Sequence, residues 1–248
     1  MEKLWIDAVE FDDYGGFILE TQFVREMGQA YLMANGVGEP IAPASVRFTV
    51  RSDGMHRFYI RTKNWCPEHQ PDGLVLEVDG VRSQHVCAQM HVIGWYFEIG
   101  ADFMLTAGEH VLRVYDTTGW FARFCCVVIT DDYDFTPSRE LAALEKQRAA
   151  IKGVPITVCD KGRYDLIVVG GGVGGIVAAI TAARYGMKVA LINDRPRLGG
   201  NAAQEANVAL EGAAHRGDHE TGIVFEIKNY RHSKQISWSD AFEQYTAE

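Results

Sequence analysis

The run Val169-Gly170-Gly171-Gly172-Val173-Gly174-Gly175 holds five glycines in six positions, from Gly170 to Gly175. A glycine in the interior of a helix or strand costs stability through lost backbone entropy, so this density marks a turn with regular elements on either side. Before it, Leu166, Ile167, Val168 and Val169 form a β-branched, apolar run that suits a parallel strand buried on both faces. After it, Val173 to Tyr185 is rich in Ala and Ile with no charge before Arg184, as expected of a helix lying against a sheet. Gly186 ends that helix, and Lys188 to Ile192 reads as a second parallel strand. Within this βαβ unit, Gly170, Gly172 and Gly175 take the three positions of G-x-G-x-x-G. The first permits the tight turn, the second lets backbone approach a pyrophosphate, and the third lets helix and strand pack closely. A diphosphate would sit on the helix amino terminus, facing free N–H groups and the positive end of the dipole. The candidate contacts are Gly170, Gly172, Val173, Gly174 and Gly175.

Two segments then narrow the choice of dinucleotide. Tyr164-Asp165-Leu166-Ile167-Val168-Val169-Gly170-Gly171-Gly172 followed by Asp194-Arg195-Pro196-Arg197-Leu198-Gly199-Gly200-Asn201 resembles the FAD-dependent oxidoreductases with a glutathione-reductase-like dinucleotide fold. The resemblance implies FAD as cofactor, with Asp194, Arg195, Gly199, Gly200 and Asn201 along it, because a Gly-Gly doublet follows the second strand in that family. It also implies an acidic residue at the end of that strand to hold the adenosine ribose. This chain has Asn193 there with Asp194 beside it, and either can take the role. The same resemblance leads to the expectation of further strands after Glu248, so that the Rossmann-like unit is incomplete. The catalytic residues would then lie beyond it, and the 248-residue chain alone would be inactive.

Residues 1–136 have a different texture. Short β-like segments at Phe17–Phe23, Ser45–Val50, Met55–Thr62, Leu74–Val78, Trp95–Ile99, His110–Tyr115 and Arg123–Ile129 alternate with turn signals such as Ser52-Asp53-Gly54 and Val78-Asp79-Gly80. Such spacing predicts an all-β sandwich or jelly roll that folds by itself. Gly15-Gly16-Phe17, Phe58 to Trp65 and Ala107-Gly108-Glu109-His110 resemble the β-sandwich modules of carbohydrate-active enzymes. That resemblance implies sugar stacking by exposed rings among Tyr59, Trp65, Trp95, Tyr96 and Trp120, with Trp65 and Trp120 best placed at strand ends. It also raises calcium at Glu10, Asp12 or Asp13, although such acids more often form a solvated turn. Aromatics equally fill sandwich cores.

The predicted organisation is therefore multidomain: a β-sandwich over 1–136, a helical linker over 137–160 started by Thr136 and Pro137, and an α/β unit over 161–248. A net charge of −9 excludes a basic footprint for nucleic acid or anionic membrane. The chain lacks both a signal-peptide core and an apolar run of membrane-spanning length, which predicts a cytoplasmic protein. The five cysteines fit a reducing compartment, and Cys125 and Cys126, adjacent in an apolar run, read as buried strand residues. His215 and His219 have a spacing that suits metal ligands on a helix, but Gly212, Gly217 and Gly222 argue against a helix there, and no metal is expected. The functional expectation is an FAD-dependent oxidoreductase acting on a small molecule, with a sugar-like substrate suggested by the company of its domains. The alternatives are a carbohydrate-binding module with a vestigial nucleotide fold, and an NAD-dependent dehydrogenase.

Overall fold

The computed structural model describes residues 1–154, 160–203, 208, 210 and 222–247. They fall into two compact units, Met1–Val158 and Cys159–Glu248.

The first unit is a sandwich of two antiparallel sheets. Its strands are β1 (Lys3–Asp7), β2 (Phe17–Glu20), β3 (Tyr31–Asn35), β4 (Ala44–Val50), β5 (Gly54–Lys63), β6 (Leu74–Val78), β7 (Val81–Arg82), β8 (Trp95–Leu105), β9 (Gly108–Asp116) and β10 (Trp120–Thr130), with a single helical turn, α1 (Val24–Met27), between β2 and β3. One sheet runs β2-β3-β10-β5-β8, with β1 also paired to β10, and the other runs β4-β9-β6-β7. Period-2 alternation sets the inner face: Ala44, Val46, Phe48 and Val50 are buried in β4 while Arg47 and Thr49 are exposed. Phe58, Ile60, Leu76, Leu112 and Phe124 meet between the sheets.

Strands β5 and β10 break that alternation, and a helix is the reason. α2 (Leu141–Lys152) covers the outer face of the first sheet, so Trp5, Tyr59, Cys125, Cys126, Val128 and Leu144 form a second core there. Cys125 and Cys126 are buried at a bulge in β10, as strand residues should be. The segment that reads in the sequence as a linker is thus packed on the sandwich. Its helix begins at Leu141, later than Thr136-Pro137 suggested, because Glu140 supplies the cap: its carboxylate accepts from the Ala142 and Ala143 N–H groups. Strands β1 and β3 had no sequence forecast. Both lie against two cores at once, so neither shows the polar-apolar alternation that gives a half-buried strand away.

In the second unit, β11 (Leu166–Val169) and β12 (Val189–Ile192) pair in parallel, and α3 (Val173–Arg184) joins them. α4 (Gly222–Lys234) and α5 (Trp238–Ala247) pack with α3 around Ile176, Ile227 and Phe242. The expectation that β11 is buried on both faces is not met among the described residues. Leu166 and Val168 are half-buried, whereas Ile167 is 55% and Val169 79% exposed. No described helix is long and apolar enough to cross a membrane.

Candidate functional site

The glycine run folds into a turn whose open and filled spaces are sorted by position. Gly170 sits at φ +107, and its N–H donates to the Ile192 carbonyl at 2.7 Å, closing the end of β11 against β12. A Cβ on Gly175 would stand 1.9 Å from the Gly170 carbonyl oxygen, so helix and strand meet only because that atom is absent. A Cβ on Gly172 or Gly174 would meet nothing within 4 Å. Gly172 is the N-cap of α3 with extended backbone. The first N–H groups of a helix have no acceptor within it, and here they belong to Val173, Gly174 and Gly175, beside that open space.

The second motif is tied to this turn. The Gly199 N–H donates to the Gly171 carbonyl at 2.8 Å, and Gly172 and Gly199 form a parallel bridge. Gly199 has φ +114, and a Cβ there would lie 2.5 Å from the Phe242 ring, which stacks on Trp238 in α5. A Cβ on Gly200 would come within 3.1 Å of the Gly172 Cα. Arg197 holds the intervening loop to α5 through Glu243 at 2.7 Å. Asn201 lies in a single 3-10 turn, Gly200–Ala202, with its side chain exposed.

Asn193 and Asp194 separate in the structure. The Asn193 carbonyl oxygen accepts from the Gly171 N–H at 3.0 Å, and its amide donates to the Arg195 and Arg197 carbonyls, each at 2.9 Å. Its side chain therefore staples the turn to the loop, while Asp194 and Arg195 stay exposed. Gly171 and Phe242 were not singled out by the sequence. Their importance comes from contacts across about 30 and 40 residues of chain, which no local pattern encodes. A cavity of about 610 Å3 in this unit runs along the carboxy-terminal half of α3, between Ala179, Ala183, Leu191 and Tyr245, away from the glycine turn.

In the first unit the aromatic candidates divide by burial. Tyr59 and Tyr96 are buried, and Trp95 packs against Phe23 and Tyr31. Trp65 and Trp120 are 46% and 40% exposed and flank Phe121, a ring the sequence did not mark. Trp65 stacks on Phe121 with centroids 5.3 Å apart and planes 20° from parallel. Phe121 holds φ +54, an uncommon backbone for a bulky residue. Beneath Trp65, Asp72 is fully buried, accepts from the Trp65 N–H at 2.6 Å, and keeps one oxygen without a partner. Burial pushes its pKa up to about 6, against the pull of the Trp65 N–H and the charge of Arg123.

The acids considered for calcium are already engaged by protein groups. Glu10 pairs with Lys152, Asp12 accepts from the Arg47 N–H, and Asp13 from the Gly15 N–H. His215 and His219 lie outside the described residues.

Comparison with known proteins adds the following. Residues 165–247 match the family described as FAD dependent oxidoreductase. Over 37 residues the chain is 60% identical to a dihydrolipoyl dehydrogenase of Trypanosoma brucei brucei, a match covering 15% of this chain and 8% of that protein. Over 53 residues it is 38% identical to a soluble pyridine nucleotide transhydrogenase of Hahella chejuensis (strain KCTC 2396), covering 21% and 11%. The matches thus span about a tenth of the length of these curated relatives. Among solved structures, a family 35 carbohydrate binding module from Clostridium thermocellum is similar at 17% identity and a TM-score of 0.41, covering 51% of this chain and 98% of that one. The C-terminal CBM6 of LamC from Zobellia galactanivorans is similar at 14% identity and a TM-score of 0.42, covering 52% and 100%.

Proposed function

On the premise that residues 165–247 match the FAD dependent oxidoreductases, we propose that the second unit holds the ADP part of FAD and serves an oxidoreductase. The observation that carries this reading is the contrast within the glycine run. A Cβ on Gly175 collides with backbone, while the space in front of Gly172 and Gly174 at the start of α3 is open. A diphosphate placed there meets the N–H groups of Val173, Gly174 and Gly175 and the positive end of the helix dipole. Gly199, Gly200 and Asn201 border the same space through the bridge to Gly172. Asp194, exposed next to the committed Asn193, takes the ribose hydroxyls, and Arg195 lies beside it. Bound FAD supplies the electron-transfer chemistry, and these residues bind and orient it. Titration of the whole chain with FAD, NAD+ and ADP tests this reading. Saturable binding of FAD, competed by ADP and lost in Gly172→Val, is the expected result. Equal affinity in the parent and Gly172→Val would overturn it, and tighter binding of NAD+ than of FAD would favour a dehydrogenase.

A second activity has its own observation. Trp65, Phe121 and Trp120 form an exposed aromatic surface on the sandwich, and flat ring faces suit the axial C–H face of a pyranose. The first unit accordingly binds carbohydrate, and the oxidoreductase substrate is carbohydrate-related. Retardation of the chain in gels containing soluble glycans, weakened about tenfold in Trp65→Ala, is the test.

A further inference from the structure

We propose that His85, Cys87 and Glu98 of the sandwich form a three-ligand site for Zn2+, open to solvent at its fourth position. The Nε2 or Nδ1 of His85, the Sγ of Cys87 and a carboxylate oxygen of Glu98 all lie within 4.8 Å of one another. Two local geometries converge to place them. His85 and Cys87 stand two apart in the segment after β7, and an exchange of backbone hydrogen bonds pins Cys87 to Leu74 on β6. Extended residues two apart face the same side. Glu98 reaches the same point from β8, with one oxygen fixed by the Ala88 N–H at 2.6 Å.

The spacing suits zinc. Zn–N and Zn–O distances of about 2.0–2.2 Å and Zn–S of about 2.3 Å place tetrahedral ligand atoms about 3.4–3.6 Å apart. The Nε2 of His85 and Oε2 of Glu98 already stand at 3.4 Å. Closing the rest requires a shift of about 1 Å, which the half-exposed His85 ring can make. A thiol, an imidazole and a carboxylate form a mixed donor set of the kind that zinc accepts and that calcium and magnesium, which bind through oxygen, do not.

The electrostatics point the same way. Cys87 is fully buried and Glu98 nearly so, which places two potential anions side by side away from water. Burial and the neighbouring carboxylate hold the Cys87 thiol protonated, and burial pushes Glu98 up as well. A divalent cation bound there would take the place of the thiol proton and neutralise both groups. The exposed His85 side gives it a way in. With three protein ligands, the fourth position faces solvent and takes water. The metal would clip the segment after β7 to β8.

Cobalt substitution of the whole chain tests the proposal, because a thiolate bound to Co2+ gives an intense near-ultraviolet charge-transfer band that carboxylate or imidazole ligation alone does not. The expected result is one Co2+ per chain with that band, displaced by Zn2+. Cys87→Ser should lose the band, and His85→Gln, at a half-exposed position, should weaken binding by more than about tenfold with an unchanged far-ultraviolet spectrum. Cys66→Ser should leave both intact. No band in the parent chain would overturn the site, as would a band that survives Cys87→Ser or disappears in Cys66→Ser.

Discussion

The Asp7 carboxylate should be a measurable anchor between β1 and α2. It is 3% exposed, yet it is met by three donors: Trp5 Nε1 at 3.0 Å, Lys152 Nζ at 3.0 Å, and Arg148 in a forked contact, Nη2 at 2.5 Å and Nε at 2.9 Å. Burial alone would raise the Asp7 pKa, but Arg148 and Lys152 outweigh it and hold it below the usual carboxylate value. Breaking a fully buried ion pair costs about 3–5 kcal/mol, because one charge is left uncompensated, whereas an exposed pair contributes about 0–1 kcal/mol. Arg148 is 40% exposed and Lys152 remains, so solvent screening brings the expected cost of Arg148→Ala to about 2 kcal/mol. In Asp7→Asn the same substitution should cost under about 1 kcal/mol, a coupling of about 1–1.5 kcal/mol in the double-mutant cycle. Urea unfolding of the sandwich, followed through the buried Trp5, measures all four corners. Because the folded-state pKa is depressed, this stability is fully present above about pH 4 and is lost as pH falls through the lower folded value. A coupling below about 0.3 kcal/mol, or one that persists undiminished at pH 2, would refute the argument.

The other expectations concern different parts of the molecule. A chain ending at Thr136 should melt below one ending at Val158, because it exposes the face that Leu144 covers and strips Asp7 of both cations; equal melting temperatures would show that the helix adds nothing. Gly172→Val should leave stability within about 1 kcal/mol of the parent, since only the cap residue changes, while FAD binding is lost. Gly175→Ala should instead destabilise the second unit by more than about 1–3 kcal/mol, as its methyl meets the Gly170 carbonyl oxygen, and comparative hydrogen exchange separates the two. Asp72 has a raised folded-state pKa, so its stabilising contribution is full below 3.8 and is lost as pH rises to about 6. Asp72→Asn should remove that fall, about 3 kcal/mol in all, from a stability-pH profile. Trp65→Ala and Trp120→Ala should each weaken glycan retention about tenfold while leaving flavin binding alone, at about 1–1.5 kcal/mol per ring; unchanged retention in both would remove the aromatic surface from consideration.

The chain's local patterns determined its two textures. Alternating apolar residues such as Val46, Phe48 and Val50 can only line one face of a sheet, and the Gly170–Gly175 run can only turn between a strand and a helix, because both effects act over a few bonds. The same locality marked Trp65 and Trp120 as rings at strand ends and Cys125 and Cys126 as strand residues. Tertiary structure decided the rest. Nothing near Asn193 announces that its side chain will be spent on Gly171, leaving Asp194 exposed. Phe121 joins the two tryptophans only once β10 and the segment after β5 are brought together. β1 and β3 stayed hidden because packing on both faces erases their alternation, and α2 became part of the sandwich through Asp7, more than a hundred residues upstream. In each case the deciding contact is between residues far apart in sequence, whose meeting depends on every turn between them.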